Sequence, residues 1–294
     1  MDSDVKEFWD KTFQDLEKTP LVAPQVVESR PSYETNMFTV NIRSLDNIRF
    51  QGMLVVPKSD TLIPHNDLVT RDRKVIIYIG GSGLNNAFKP RYQFWFSSWA
   101  TFLMDPRGQG HSRMDTSVPD HLTRNIQNKD LFHYRGVYCD VKRAVDWLWN
   151  IGYRRIGMAG TCFGGGIAVP LAVLETRIVS IAADAPWPCD IQWACEHGAP
   201  NYWMLIEYLQ KFPHLKERVW ETLRYYDPIY FAPDVKCPVL LGFCNDDPKN
   251  YTHTMMSLWE KLDTTKSLLL YNMHQHGCSA SFCKFQQHWF EMTL

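Results

Sequence analysis

Apolar residues recur along this chain in two rhythms. Six stretches are nearly continuous: KVIIYIGG (74–81), WATFLMD (99–105), RRIGMAG (154–160), IVSIAAD (178–184), CPVLLGF (237–243) and KSLLLYN (266–272). Short unbroken runs of this kind suit strands buried on both faces of a parallel sheet. Elsewhere the spacing is helical. In RGVYCDVKRAVDWLWN (135–150), Val137, Val141, Ala144, Val145 and Leu148 fall on one face. Segments 4–18, 164–174, 249–262 and 279–292 also predict helices, and 38–42 with 48–56 predict an antiparallel pair at one edge. Alternating strand and helix imply an α/β architecture, a mostly parallel sheet with helices on both faces.

One segment breaks the alternation. Residues 186–232 lie between two predicted core strands and carry Trp187, Trp193, Trp203 and Trp220. They are expected to form a helical lid over the carboxyl ends of the strands, where open α/β sheets place ligands. Trp187, Trp193 and Trp203 are then candidates for contact with substrate, against the alternative of ordinary core packing. The whole chain, 1–294, is expected to be one domain with this insertion.

Composition narrows the classes. The 294 residues hold 31 lysines and arginines against 32 acidic residues, a net charge of −1, so nothing draws the chain to nucleic acid or an anionic membrane. A hydrophobic fraction of 45% with a mean hydropathy of −0.30 fits a soluble protein with a sizeable core. The first residues, MDSDVKEFWDKTFQDLEK, lack the apolar stretch of a signal peptide, and the eight cysteines include no C-x-x-C pair. Reduced thiols in a cytoplasmic protein are the expectation.

The candidate chemistry centres on GTCFGG (160–165). Glycines flank a central cysteine, with strand RRIGMAG before it and the apolar helix GGGIAVPLAVL after it. That is the context of a nucleophile elbow, in which the attacking residue sits on a sharp strand-to-helix turn. Partners should follow in the order nucleophile, acid, histidine. Asp246 and Asp247 follow one strand, and His274 and His276 follow the next, so all reach the same rim. A histidine there can take the Cys162 proton, and a carboxylate can orient the imidazole. The backbone N–H of Phe163 and the loop Gly80-Gly81-Ser82-Gly83 could supply an oxyanion hole. Two other uses are weaker. The glycine loop lacks the G-K-[ST] of a phosphate cradle. His274, His276, Cys278 and Cys283 lack the paired spacing of a zinc site, so no metal is assigned.

These motifs carry a resemblance. FWDKTFQDLE (8–17), DPRGQGHS (105–112), YRGVYCDVKRAVDWL (134–148), the elbow, DAPW (184–187), YYDPIYFAPDVKCPVL (225–240) and the final histidine loop together resemble the acetyl xylan esterase and cephalosporin C deacetylase family of α/β-hydrolases. The resemblance implies the α/β-hydrolase fold, Asp247 as acid, His276 as base, and oxyanion donors at Gly81 and Phe163. It implies a bracing role for Asp105 and Arg107, and no cofactor. Two departures stand out. Cys162 occupies the place of the family's serine, as in dienelactone hydrolases, and a glycine replaces the oxyanion-loop tyrosine. The function expected is hydrolysis of small esters or lactones through an acyl-Cys intermediate. Transfer of the acyl group from a carrier thioester to a bulky apolar acceptor is the alternative, and a non-catalytic binding protein on the same fold is another. The expected partner is a small-molecule acyl substrate, with an acyl carrier or acceptor and a homo-oligomer left open.

Overall fold

The protein is described here from a computed structural model, which covers residues 1–21, 25–28, 35–58, 73–82, 99–113, 121–272, 276–277 and 280–294. Among the described residues, nine strands form one sheet: β1 (Gln25–Glu28), β2 (Thr35–Arg43), β3 (Arg49–Pro57), β4 (Lys74–Ile79), β5 (Ala100–Asp105), β6 (Arg155–Thr161), β7 (Ile178–Asp184), β8 (Val239–Cys244) and β9 (Lys266–Tyr271). Their order is β1-β2-β3-β5-β4-β6-β7-β8-β9. Pairing is antiparallel from β1 through β5 and parallel from there on.

The six continuous apolar runs are the six strands β4 to β9. Strands β5 and β8 are buried at every position, as two-sided cover demands. The antiparallel edge is larger than expected. Strands β2 and β3 are each nine residues long, and β1 is added outside them with all four residues exposed. An exposed four-residue edge strand has no buried face to impose a period, so its pattern is silent.

The helices named here are α1 (Ser3–Glu17), α2 (His133–Asn150), α3 (Phe163–Leu174), α4 (Ile191–Glu196), α5 (Trp203–Lys211), α6 (Lys216–Leu223), α7 (Pro228–Phe231), α8 (Thr252–Lys261) and α9 (Ala280–Thr293). In α2 all five apolar residues of the predicted face are fully buried. Each of its valines and its leucine contributes about 1.5–3 kcal/mol by leaving water. Helix α1 buries Val5, Phe8, Trp9 and Leu16 in the same fashion, and the Trp9 ring stacks on Tyr138 of α2 at 5.1 Å. Segment 186–232 is the run of short helices α4 to α7 joined by tight turns. The buried Asp227 carboxylate ties its two ends, accepting from the N–H groups of Asp190, Ile191 and Ile229.

The two most specific sequence motifs meet each other. Arg107, from DPRGQG, donates Nη2 to Asp140 Oδ1 at 2.7 Å and Nε to both carboxylate oxygens at 3.1 Å. Asp140, from YRGVY-x-D, also accepts the Arg107 backbone N–H at 2.9 Å. Gly136 clears the way, since a Cβ there would lie 2.3 Å from Arg107 Nη1. Asp105 accepts from the backbone N–H of His111 at 2.9 Å. This brace pins the chain after β5 to the first turns of α2.

Candidate active site

Strand β6 ends at Thr161, α3 begins at Phe163, and Cys162 between them takes φ 54° and ψ −114°. A positive φ at a residue with a Cβ costs about 1–3 kcal/mol and persists only where its surroundings enforce it. The enforcement is visible. Cys162 donates its N–H to Asp184 O at 2.8 Å, and its carbonyl accepts from Gly166 and Trp187, each at 2.9 Å. The turn also needs its glycines: a Cβ on Gly164 would lie 1.9 Å from Ile79 O, and one on Gly160 would lie 2.2 Å from Gly164 C. The result is a thiol held at the carboxyl end of the sheet, in a residue 8% exposed.

The acid and the histidine arrive from the next two strands. Asp247 follows β8 and uses Oδ1 to accept the N–H groups of Lys249 and Asn250 at 2.8 and 3.2 Å. Its other oxygen, Oδ2, meets His276 Nδ1 at 2.7 Å. His276 follows β9, and Gly277 beside it is pressed so closely on the elbow that a Cβ would lie 2.6 Å from Thr161 Cγ2. Burial alone would pull the His276 pKa below its ordinary 6.5. The Asp247 hydrogen bond and the Cys162 side chain outweigh burial and raise it to about 10. Nε2, the nitrogen left over, is buried and has no conventional hydrogen-bond partner among the described residues. The Cys162 side chain still raises the ring, by hydrogen bonding first and by charge second, a contact that substrate binding can tighten.

Asp246, the neighbouring candidate acid, is exposed. His274, Cys278 and Gly83 lie outside the described residues. Gly81 lies against the elbow, where a Cβ would stand 3.3 Å from Cys162 Cβ, and the Gly80 carbonyl accepts the Gly164 N–H at 3.2 Å. The Phe163 N–H opens α3 and so belongs to the first turn, which no intrahelical acceptor serves. No group of three or more histidine, cysteine or acidic side chains suited to a metal occurs among the described residues.

The three candidate tryptophans have different settings. Trp187 is 2% exposed and packs edge-on against His121 at 5.8 Å. Trp193 lies between the rings of His197 and His253 at 3.9 and 3.8 Å, joining α4 to α8. Trp203 is 56% exposed at the start of α5. Sequence reasoning did not single out His121 or Tyr134, whose rings pack against Phe163 at 5.9 and 5.6 Å. Tyr134 was legible only as part of the bracing motif.

Comparison with known proteins agrees with this architecture. The family model Acetyl xylan esterase (AXE1) matches residues 1–294. Acetyl esterase Axe7A of Xylanibacter ruminicola is 20% identical over 312 residues, spanning 99% of this chain and 67% of that protein. The acetyl xylan esterase from Paenibacillus sp. R4 shares the fold with a TM-score of 0.89 at 24% identity, over 100% of this chain and 95% of that one. Acetyl xylan esterase 1 from Thermoanaerobacterium sp. JW/SL YS485 does so at 0.82 and 19% identity, over 98% and 92%. The chain belongs to the acetyl xylan esterase family of α/β-hydrolase esterases.

Proposed function

We propose that the chain hydrolyses small carboxylic esters or lactones with Cys162 as nucleophile, His276 as general base and Asp247 as the group that orients it. Proton transfer from Cys162 to His276 Nε2 frees the sulfur to attack the acyl carbon. The carbonyl π electrons move to oxygen, where the N–H groups of Gly81 and Phe163 receive the negative charge. Collapse expels the alcohol, which takes its proton from His276, and leaves an acyl-Cys thioester. Water, deprotonated by His276, then releases the acid and restores the thiol. The observation that carries the reading is the two-sided environment of His276: Nδ1 on Asp247 at 2.7 Å, and the Cys162 side chain acting on the same ring by hydrogen bonding and charge.

The family's relatives are named for acetyl esters, which makes acetyl the first acyl group to try. A thioester intermediate also reacts readily with amines and thiols, so the acceptor is an experimental question. Segment 186–232 would act as the lid that governs its entry, and a reducing, cytoplasmic compartment would keep the thiol free. The test is an intact-mass time course after a pulse of an activated acetyl ester, with Cys162→Ala as control. An adduct on Cys162 that decays in plain water supports the hydrolase. One that persists until an amine, alcohol or thiol is added makes the protein an acyltransferase. An unmodified Cys162 in a protein that still turns over ester removes the cysteine mechanism.

A further inference from the structure

Tyr134 is 2% exposed, and its hydroxyl, also buried, has no hydrogen-bond partner among the described residues. An unsatisfied buried hydroxyl costs about 1–3 kcal/mol, so it persists where something other than the fold uses it. Its surroundings indicate what. The ring packs edge-on against Phe163, the residue next to Cys162, at 5.6 Å. Burial and then the charge of Cys162 push the phenol well above its ordinary pKa, so the hydroxyl stays protonated and lies within electrostatic reach of the sulfur.

A second donor has the same condition. Trp187 Nε1 is buried without a partner among the described residues, and its own backbone N–H is bonded to the Cys162 carbonyl. The His121 ring bridges the two, stacked on Tyr134 at 6.5 Å and edge-on to Trp187 at 5.8 Å. These buried aromatic rings form one wall beside the elbow, so a group that meets them is small rather than a polymer. The acyl portion of a substrate is the small part, and the alcohol portion can extend outward. Two donors on that wall, with nothing in the fold to bond, call for an acceptor on the acyl chain itself, because the reacting carbonyl has the backbone N–H groups of Gly81 and Phe163.

We propose that the Tyr134 hydroxyl, supported by Trp187 Nε1, determines acyl specificity and selects esters or lactones whose acyl chain carries an oxygen acceptor beside the scissile carbonyl, as in hydroxy-, alkoxy- or oxo-acyl groups. This rests on the assignment of Cys162 as nucleophile. The probes are 4-nitrophenyl methoxyacetate and 4-nitrophenyl butanoate, acyl chains of equal length that differ by an oxygen in place of a methylene. Their kcat/KM ratio is measured for the wild type and for Tyr134→Phe, which cancels the intrinsic difference in reactivity. The ratio is expected to fall about 5- to 20-fold in the variant, with butanoate hydrolysis little changed. Trp187→Phe is expected to lower it in the same sense. A ratio within twofold of wild type overturns the proposal. So does an equal loss on both esters, which would put the hydroxyl on the reacting carbonyl. Tyr134→Phe should be at least as thermally stable as the wild type; a fall of several degrees would reveal a structural bond and also overturn it. Cys162→Ala, run in parallel, separates the two ideas. Turnover surviving in that variant removes the nucleophile assignment itself, whereas its loss alongside an unchanged Tyr134→Phe ratio removes only the specificity.

Discussion

Two carboxylates, Asp140 and Asp247, are held in nearly the same way and serve opposite ends. Each is buried, accepts backbone N–H groups, and holds one basic side chain. Asp140 faces Arg107, which also donates to the Leu45 carbonyl and lies 4.0 Å from Asp46 Oδ2, so its bonds all stay within the fold. Asp247 faces His276, whose second nitrogen is left without a conventional bond beside the sulfur. Burial opposes the charge of Arg107, yet Asp140 more than restores it, and Arg107 stays charged in a fixed strut. What distinguishes the working pair is the leftover valence. A pair whose bonds stay within the fold stabilises it, and a ring nitrogen left over beside a thiol is available for chemistry.

Crossing the two carboxylates is the sharpest way to break this comparison. Asp247→Asn should lower kcat/KM by about 10³- to 10⁴-fold while the folded state survives, as read by initial rates beside a thermal melt. Asp140→Asn should do the reverse. Leaving Arg107 buried without its counter-charge costs about 3–5 kcal/mol, measured by urea unfolding, and whatever protein remains folded should keep an intact Cys162 site. If both variants lost activity and stability together, the separation of strut from site would be wrong. A milder probe of the strut is Gly136→Ala, whose Cβ would meet Arg107 Nη1 at 2.3 Å. Its expected cost is about 1–3 kcal/mol in the same unfolding assay.

The pH dependence of the working pair sharpens the contrast further. His276 is raised from 6.5 to about 10, a folded pKa above the unfolded one. Its contribution to stability is therefore complete below about pH 6.5 and is lost as pH climbs through about 10. Calorimetry of wild type against His276→Gln should show the gap in Tm widest near pH 6 and closing toward pH 10.5. A gap that widens with pH would contradict the pairing. The smallest effect belongs to the exposed neighbour: Asp246→Asn should shift stability by no more than about 0.5 kcal/mol and leave the rate near wild type.

Much of this was legible before any coordinates. The β4 to β9 runs could be read because burial on both faces leaves unbroken apolar sequence, and α2 because its buried face repeats at helical spacing. Cys162 was conspicuous because glycines, strand and helix all had to surround it. The choice of Asp247 over Asp246 came from resemblance, and what distinguishes the two is an N–H clasp by Lys249 and Asn250 that no spacing encodes. Strand β1 went unread because an exposed edge is under no burial constraint. Tyr134 was visible only as the first residue of a bracing motif, and His121 not at all. A helix start and a distant loop share no period with the elbow they pack beside, and an unpartnered hydroxyl exists only as a property of the folded whole.

The elbow has a consequence for how such enzymes can change. The bonds and clearances that shape the turn act on the backbone of residue 162: those to Asp184, Gly166 and Trp187, and the space left by Gly160 and Gly164. None of these refers to the atom beyond Cβ. The scaffold thus specifies a seat and leaves its occupant open, so a thiol and a hydroxyl can replace one another there in a lineage without a folding barrier between them. Selection on such a seat can exchange its side chain while the rest of the architecture stays still.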